Sequence, residues 1–456
     1  MTRIDSDIIH FRAARTDFIV LNSFKAAIDL LDKKSSIYSD RPYFTMKTEL
    51  MGWDWLFSSM PYGEPWRERR RMFQQYFSNR SNHVYKAHQV KFVHKALLSL
   101  LNRSDDFFDV IRHMTGGVAI SLAYGFKIED RKDPFIESSR RAFQTALDAT
   151  LPGAFLVDVM PWLKHVPEWV PGAGFQKKAK AWRKLQEGFR ELPFAEALNS
   201  LAVGTAQPSL TSYLLEKYDG ASDSQRRQEV IKDVAGIVFA GANDTTVAAL
   251  ESFFAAMLLF PDVQKKAQEE LDHVLQGRLP EFQDEQNLPY ISATVKEVLR
   301  WRPVTPLALP HQLIEDDVYN GYHLPKGSFV IANAWAMLHD EETYPDPSSF
   351  RPERFLTGDG QLNPAVRDPS LMGFGFGRRI CPGSHVALSI LWLWAASFLA
   401  TFNISKAVDE DGVPIEPSIE YQSSSVTFHP LPFKCTIMPR STSSEDMIRS
   451  QLMRDA

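Results

Sequence analysis

The chain has 456 residues, 44% of them hydrophobic, and a net charge of −5. That balance suits a large globular protein and offers no excess of basic charge for nucleic acid. Only two cysteines occur, Cys381 and Cys435. They are too few for a cysteine-rich zinc module and fit a reducing compartment, although one disulfide between them stays open.

In chain order, Thr2, Arg3, Asp5, Ser6 and Asp7 leave no apolar core for a signal peptide. Ile8 to Phe11 and Asp17 to Leu21 read as two short strands joined by a turn near Ala13 to Thr16. Asn22 or Ser23 then caps a helix whose apolar face is Phe24, Ala27, Ile28 and Leu31. A helical pattern runs from Trp66 to about Leu101 and continues in pieces to about Leu198. Pro152, Gly153, Pro161, Pro167, Pro171, Gly172 and Gly174 mark an irregular connection within it. The longest helix is expected from about Asp223 to Phe260, stopped by Pro261. At 1.5 Å per residue it would reach roughly 55 Å. Another helix precedes Arg302–Pro303, and Val318 to Ala332 alternates like a strand around Pro325–Lys326–Gly327. The apolar stretch Val386 to Phe402 is interrupted by Ser389 and Ser397 and falls short of the roughly 20 residues that span a bilayer. It reads as a buried core helix, and no transmembrane segment is expected. The pattern predicts one domain over residues 1–456, mainly α with small β-sheets near both ends.

Chemistry concentrates in a few places. Phe374, Gly377, Arg379, Cys381 and Gly383 form F-x-x-G-x-R-x-C-x-G, a set that chance supplies in on the order of one chain in ten thousand. The glycines let the loop fold closely enough for N–H groups to point at a sulfur. Pro382 suits the first position of a helix, where N–H groups and the helix dipole would stabilise a thiolate at Cys381. Phe374 would shield that sulfur, and Arg379 could neutralise a carboxylate. On the predicted long helix, Asn243 to Thr246 place consecutive polar residues in an otherwise apolar run, a costly arrangement unless something satisfies them. Glu297 and Arg300 lie three apart on one helix face, and Trp66 and Arg70 lie four apart. Arg67, Arg69 and Arg71 are left to face outward.

The stretch Phe374 to Gly383 resembles the cysteine-ligand loop of the cytochrome P-450 superfamily, and the other motifs fall into place beside it. Gly241-Ala242-Asn243-Asp244-Thr245-Thr246 resembles that family's oxygen-activation motif, with Ala242 where glycine is common. Glu297-x-x-Arg300 and Phe350-Arg351-Pro352-Glu353-Arg354-Phe355 resemble its paired structural motifs, and Trp66-x-x-x-Arg70 its helix motif. The resemblance implies a cytochrome P-450 fold around a buried haem b (iron protoporphyrin IX), with Cys381 as the iron's axial thiolate. It implies that Asp244 and Thr245 deliver protons for oxygen activation, with Gly241 letting the helix bulge. Trp66, Arg70, His311 and Arg379 would hold the haem propionates, and a Glu297–Arg300–Arg354 network would brace the ligand loop.

Tyr38-Ser39-Asp40-Arg41-Pro42, Arg300-Trp301-Arg302-Pro303-Val304-Thr305-Pro306 and Trp335-Ala336-Met337-Leu338-His339-Asp340 resemble the fungal microsomal, secondary-metabolism branch. That implies a monooxygenase inserting one oxygen atom of O2 into an apolar or amphipathic small molecule. Its electrons would come from NADPH through a separate NADPH-cytochrome P-450 reductase. The pocket would draw on Phe44 to Met60, Val238 to Ala242, Thr305 to Leu309 and Val426 to Phe428. A monomer is implied, on the cytoplasmic side and associated with the endoplasmic reticulum by peripheral contact at most, since the branch's N-terminal anchor and proline hinge have no counterpart here. The rival readings are a haem-thiolate isomerase, dehydratase or peroxygenase, or an inactive haem-binding paralogue. The Asp244–Thr245 pair argues against the first group.

Overall fold

The computed structural model describes residues 6–13, 16–77, 82–103, 106–129, 131–151, 153–242, 244–422 and 426–455. Thr2, Arg3, Asp5, Pro152, Asn243 and the middle of the turn between the first two strands lie outside the described residues. The described residues are mainly helical, with small sheets. The strands are β1 (Ile8–Ala13), β2 (Thr16–Leu21), β3 (His311–Gln312), β4 (Asp317–Tyr319), β5 (Tyr322–Leu324), β6 (Phe329–Ala332), β7 (Phe402–Lys406) and β8 (Cys435–Pro439).

Ile19 and Leu21 are fully buried while Val20 between them is not, the alternation that a one-sided strand requires. β2 pairs antiparallel with β1 and parallel with β6, and β3 closes the order β1-β2-β6-β3. The N-terminal sheet is thus completed from three hundred residues downstream, which local pattern does not reveal. The stretch 318–332 is not one strand. Asn320 and Gly321 both adopt positive φ and fold β4 onto β5, the turn that an Asn-Gly pair favours, and β6 leaves for the other sheet. Ser23 is the cap of the first helix, its hydroxyl accepting from the Ala26 N–H at 3.2 Å. Ala27 and Leu31 of the predicted face are fully buried, and Phe24 and Ile28 pack at their edge.

The pattern from Trp66 to Leu101 resolves into two helices, Glu64–Tyr76 and Asn82–Asn102. On the first, Trp66, Arg69, Arg70 and Phe73 fall on one stripe at helical spacing, and that stripe faces inward. Arg69 is therefore not outward: its guanidinium is 14% exposed and holds Asp233 at 2.6 Å. Arg67 and Arg71 do face solvent, both paired with Glu64. The long helix is likewise corrected. It breaks into Ser224–Ala242 and Thr245–Leu259, and Pro261 opens the next helix rather than merely ending this one. Proline at a first helical position costs no hydrogen bond, because that N–H has no partner within the helix.

Two apolar clusters fill the interior. The larger joins the central helix pair to Ser384–Thr401, and the smaller packs the first helix and the four-stranded sheet against Phe355, Met372 and Phe376. Among the described residues, Ser384–Thr401 is the one unbent helix long and apolar enough to cross a membrane, yet 67% of it is buried inside the protein. It is a core helix, as its serines suggested.

The helix Pro289–Trp301 is tied down by charge. Glu297 accepts from Arg300 at 2.7 and 2.9 Å, from the Arg354 Nε at 3.1 Å and from the Arg351 N–H at 2.8 Å. Glu297 and Arg300 have no exposed side-chain surface, and Arg354 has 4%. Arg300 spends its remaining N–H groups on the carbonyls of Leu338, Pro347 and Ser349. A buried pair of this kind is stabilising only while complete. Glu297→Gln would leave two guanidiniums without a counter-ion and should cost about 3–5 kcal/mol. Chemical denaturation checks this. An unchanged midpoint would mean that the network carries no stability.

Candidate active site

The cysteine loop depends on two left-handed glycines, Gly375 (φ +79) and Gly377 (φ +55). At Gly377 a Cβ would sit 2.1 Å from the carbonyl oxygen of Leu31, so the loop can lie against the first helix only with glycine there. The Cys381 N–H then donates to the Phe374 carbonyl at 2.8 Å and closes the loop, with the Phe374 ring half-buried against the main core. Pro382 is not the first helical residue as the sequence predicted. The helix starts at Ser384 with Gly383 as its cap, and the extra turn brings the Gly383 N–H onto the sulfur. Burial raises the thiol pKa. The Gly383 N–H and the charge of Arg70 pull it down. Both cysteines are free thiols, so no disulfide joins Cys381 to Cys435.

Cys381 to Ser389 are all half-buried, whereas Ile390 to Thr401 are buried without exception. The packed core therefore begins at Ile390, and the turns next to the cysteine keep open surface.

Beside the loop lies a corner of buried positive charge. Arg379 donates to the carbonyls of Ser39, Phe57 and Met60 and lies over the Trp66 ring, whose other edge carries Arg70. Arg70 in turn donates to the Ile380 carbonyl at 2.7 Å. His311 is buried, with Nδ1 2.7 Å from the Tyr38 carbonyl. Burial, then the neighbouring Arg41, holds its pKa well below the ordinary histidine value. Trp66, Arg70, His311 and Arg379 thus come together as the sequence grouped them.

Two cations were missed. Arg41, 7% exposed, donates to the carbonyls of Ser58, Leu309 and Pro310, and Lys47, equally buried, donates to the Ser59 hydroxyl. Burial lowers Arg379 to about 10, Arg41 to about 9 and Lys47 to about 8. The carboxylate nearest the guanidiniums, Asp40, spends Oδ1 on the N–H groups of Arg41 and Tyr62. Carbonyl dipoles solvate these cations without neutralising them, and Asp40 sets one negative charge against several positive ones, an excess that calls for a further anion. A dianionic group such as a haem with two propionates fits this corner. Nothing in the local pattern marked Lys47; Arg41 stood in a recognised stretch without a role.

The central helix is interrupted where its apolar run turns polar. Asp244 adopts φ −124 and ψ −56 and caps the second helix. The carbonyl of Gly241, which a continuous helix would pair with a backbone N–H, instead accepts from the Thr245 hydroxyl at 2.8 Å. Gly241, Ala242, Asp244 and Thr245 all keep open surface between fully buried flanks. Asn243 lies outside the described residues. Thr246 is buried. The Glu297–Arg300–Arg354 network hydrogen-bonds within residues 297–354, and the same helix reaches the cysteine loop's stem through Lys296, which pairs with Asp368. Asp368 also accepts from the Ser370 N–H.

Known proteins resemble this chain along nearly its whole length. The family model described as Cytochrome P450 matches residues 6–437. The cytochrome P450 monooxygenase ple1 of Rhodocybe pseudopiperita is 47% identical over 446 residues, which cover 98% of this chain and 85% of that protein. The cytochrome P450 monooxygenase 98 of Postia placenta is 46% identical over 98% of this chain and 86% of its own length. The tryptamine 4-monooxygenase of Psilocybe cyanescens is 41% identical over 96% and 86%. A match across nearly the whole chain, at identities that preserve a fold and its cofactor, means that this chain belongs to the cytochrome P450 family and is a haem-dependent monooxygenase.

Proposed function

We propose that Cys381 is the axial thiolate of haem b, in a single domain whose Trp66, Arg70, His311 and Arg379 hold the propionates while Phe374 shields the sulfur. The observation that carries this reading is the unbalanced, buried positive corner within two residues of Cys381. Arg41 belongs to the same corner. Glu297, Arg300 and Arg354 brace the segment from which the loop departs. Bound haem would supply dioxygen activation at its iron, chemistry beyond any side chain of this protein. If Cys381 is the ligand, the reduced, carbon monoxide-bound protein shows the red-shifted Soret band of a thiolate haem. Cys381→His should abolish that band and Cys435→Ser should keep it. The opposite pattern would reassign the ligand.

We further propose that Asp244 and Thr245 move protons toward the reacting oxygen, with the Thr245 hydroxyl held at the helix break by the Gly241 carbonyl. Electrons would arrive from NADPH through a separate cytochrome P450 reductase. The substrate would be an apolar or amphipathic small molecule of secondary metabolism, a class supported by the relative that oxidises tryptamine. Leu307 and Leu309, at 51% and 37% exposure, supply apolar surface on the segment expected to line its pocket. Thr245→Ala should leave the carbon monoxide spectrum intact and lower product formed per NADPH by about tenfold, with peroxide rising in its place. Unchanged coupling would remove Thr245 from proton delivery.

Membrane contact would use Leu156, Trp162 and Trp169, which are 67%, 63% and 80% exposed around one irregular connection. A cluster of this kind on a protein surface marks an interaction site. Trp162→Ala with Trp169→Ala should reduce binding to phospholipid vesicles severalfold, measured by sedimentation. Equal binding would place the contact elsewhere.

A further inference from the structure

One acidic residue in the second half of the central helix has no place in the motifs above. Glu251 sits within Val247 to Phe254, a stretch apolar apart from Ser252, and its side chain has no exposed surface. A carboxylate in such a position is expensive unless it is paired. One oxygen accepts from Arg112 of the neighbouring helix Phe107–Tyr124 at 2.8 Å. The other is 2.8 Å from Nδ1 of His429. Nε2 of the same ring lies 3.3 Å from Oδ1 of Asp244. The imidazole therefore bridges two carboxylates that stand seven residues apart on one helix. It keeps 14% of its surface, whereas Arg112, at 39%, reaches solvent. The second oxygen of Asp244 is buried without a hydrogen-bond partner among the described residues.

From this geometry we infer that Glu251 and His429 are positioning residues for Asp244, holding a charged imidazole that restores its proton during turnover. This rests on the reading of Asp244 as the proton-handling acid. Each turn of the relay balances. The imidazolium gives its Nε2 proton to the Asp244 carboxylate, which becomes a carboxylic acid. The ring keeps its Nδ1 proton on Glu251 and is neutral. After Asp244 has passed its proton on, the bare Nε2 takes one from water, and the net flow is one proton from solvent.

The surroundings favour a loaded ring. Facing it are Asp244 and Glu251 from the central helix, and Arg112, itself near Asp109, from the adjoining helix. Tyr421, on the ring's own segment, lies close enough to Glu251 to feel its charge. Burial alone would discharge the ring, but the two carboxylates overcome it and raise the pKa to about 9. At neutral pH the histidine is protonated whenever Asp244 needs it. Asp244 and then Glu251 set that basicity, and Arg112 keeps Glu251 from wandering.

The test uses holoenzyme labelled with 13C at histidine Cε1, in the reduced, carbon monoxide-bound form. The resonance missing from His429→Gln should titrate well above the usual histidine value of about 6.5. In Glu251→Gln the same resonance should fall back toward that value. In turnover, His429→Gln and Glu251→Gln should each lower product per NADPH by about tenfold and enlarge the solvent deuterium isotope effect. Their substrate-induced spectral shifts should stay within about twofold of the parent, which mere loosening of the fold would not allow. If His429→Gln does not fold, Glu251→Gln, which keeps a hydrogen bond to the ring, decides the matter. An ordinary titration of His429, or unchanged coupling and isotope effect in Glu251→Gln, overturns the inference. A parent protein lacking the red-shifted band would instead overturn the Cys381 assignment, and the titration would still judge the bridge.

Discussion

The chain between residues 338 and 354 hangs from one carboxylate with no contact with solvent. Glu297 neutralises Arg300, supports Arg354 and takes the Arg351 N–H, and through Arg300 it gathers the carbonyls of Leu338, Pro347 and Ser349. Those carbonyls belong to irregular chain, which has no ladder of its own to satisfy it. Without the guanidinium fork, residues 338–354 would have to find other partners in the interior. The same helix, through Lys296 and Asp368, holds the stem of the loop that ends at Cys381. One helix thus links the 338–354 segment to the stem of the cysteine loop.

The neighbouring corner obeys the opposite rule. Arg379, Arg41 and Lys47 are buried on carbonyls and a hydroxyl, with Asp40 engaged by backbone N–H groups. Low-dielectric surroundings magnify both the pairing in the first cluster and the want of it in the second. One cluster stabilises the fold, while the other stores an attraction for an anionic ligand. Only their compensation distinguishes them, since the residue types are the same.

A third arrangement of charge sits at a helix break. The central helix is interrupted at Asp244, the Gly241 carbonyl accepts from the Thr245 hydroxyl, and His429 meets Asp244 from a distant loop. Glu251, two turns along, would be an intolerable buried acid by itself. Paired with Arg112 and His429 it instead holds the imidazole against Asp244.

How much of this could be read without coordinates depended on whether a feature is local. The cysteine loop was legible because its glycines, arginine and cysteine must stand at fixed spacing, and Gly377 shows why: a neighbouring carbonyl leaves no space for a Cβ. The stripe Trp66–Arg70 and the pair Glu297–Arg300 were legible as helix faces. Boundaries were less so. Pro382 looked like a helix start, and 223–260 like one rod, because propensity does not register a carbonyl captured by a threonine hydroxyl. Arg69 was read as surface although its spacing from Trp66 and Phe73 already placed it inside. The sequence by itself determined the helical class, the cysteine loop and the residues that could carry the chemistry, because these rest on periodicity and on short, sterically strict spacings. Only the tertiary structure decided that β6 completes the first sheet, that Arg41 and Lys47 join the cationic corner, and that His429 bridges Asp244 to Glu251. Those contacts join residues tens to hundreds of positions apart, and buried charge, which selects them, has no meaning until the chain has folded around it.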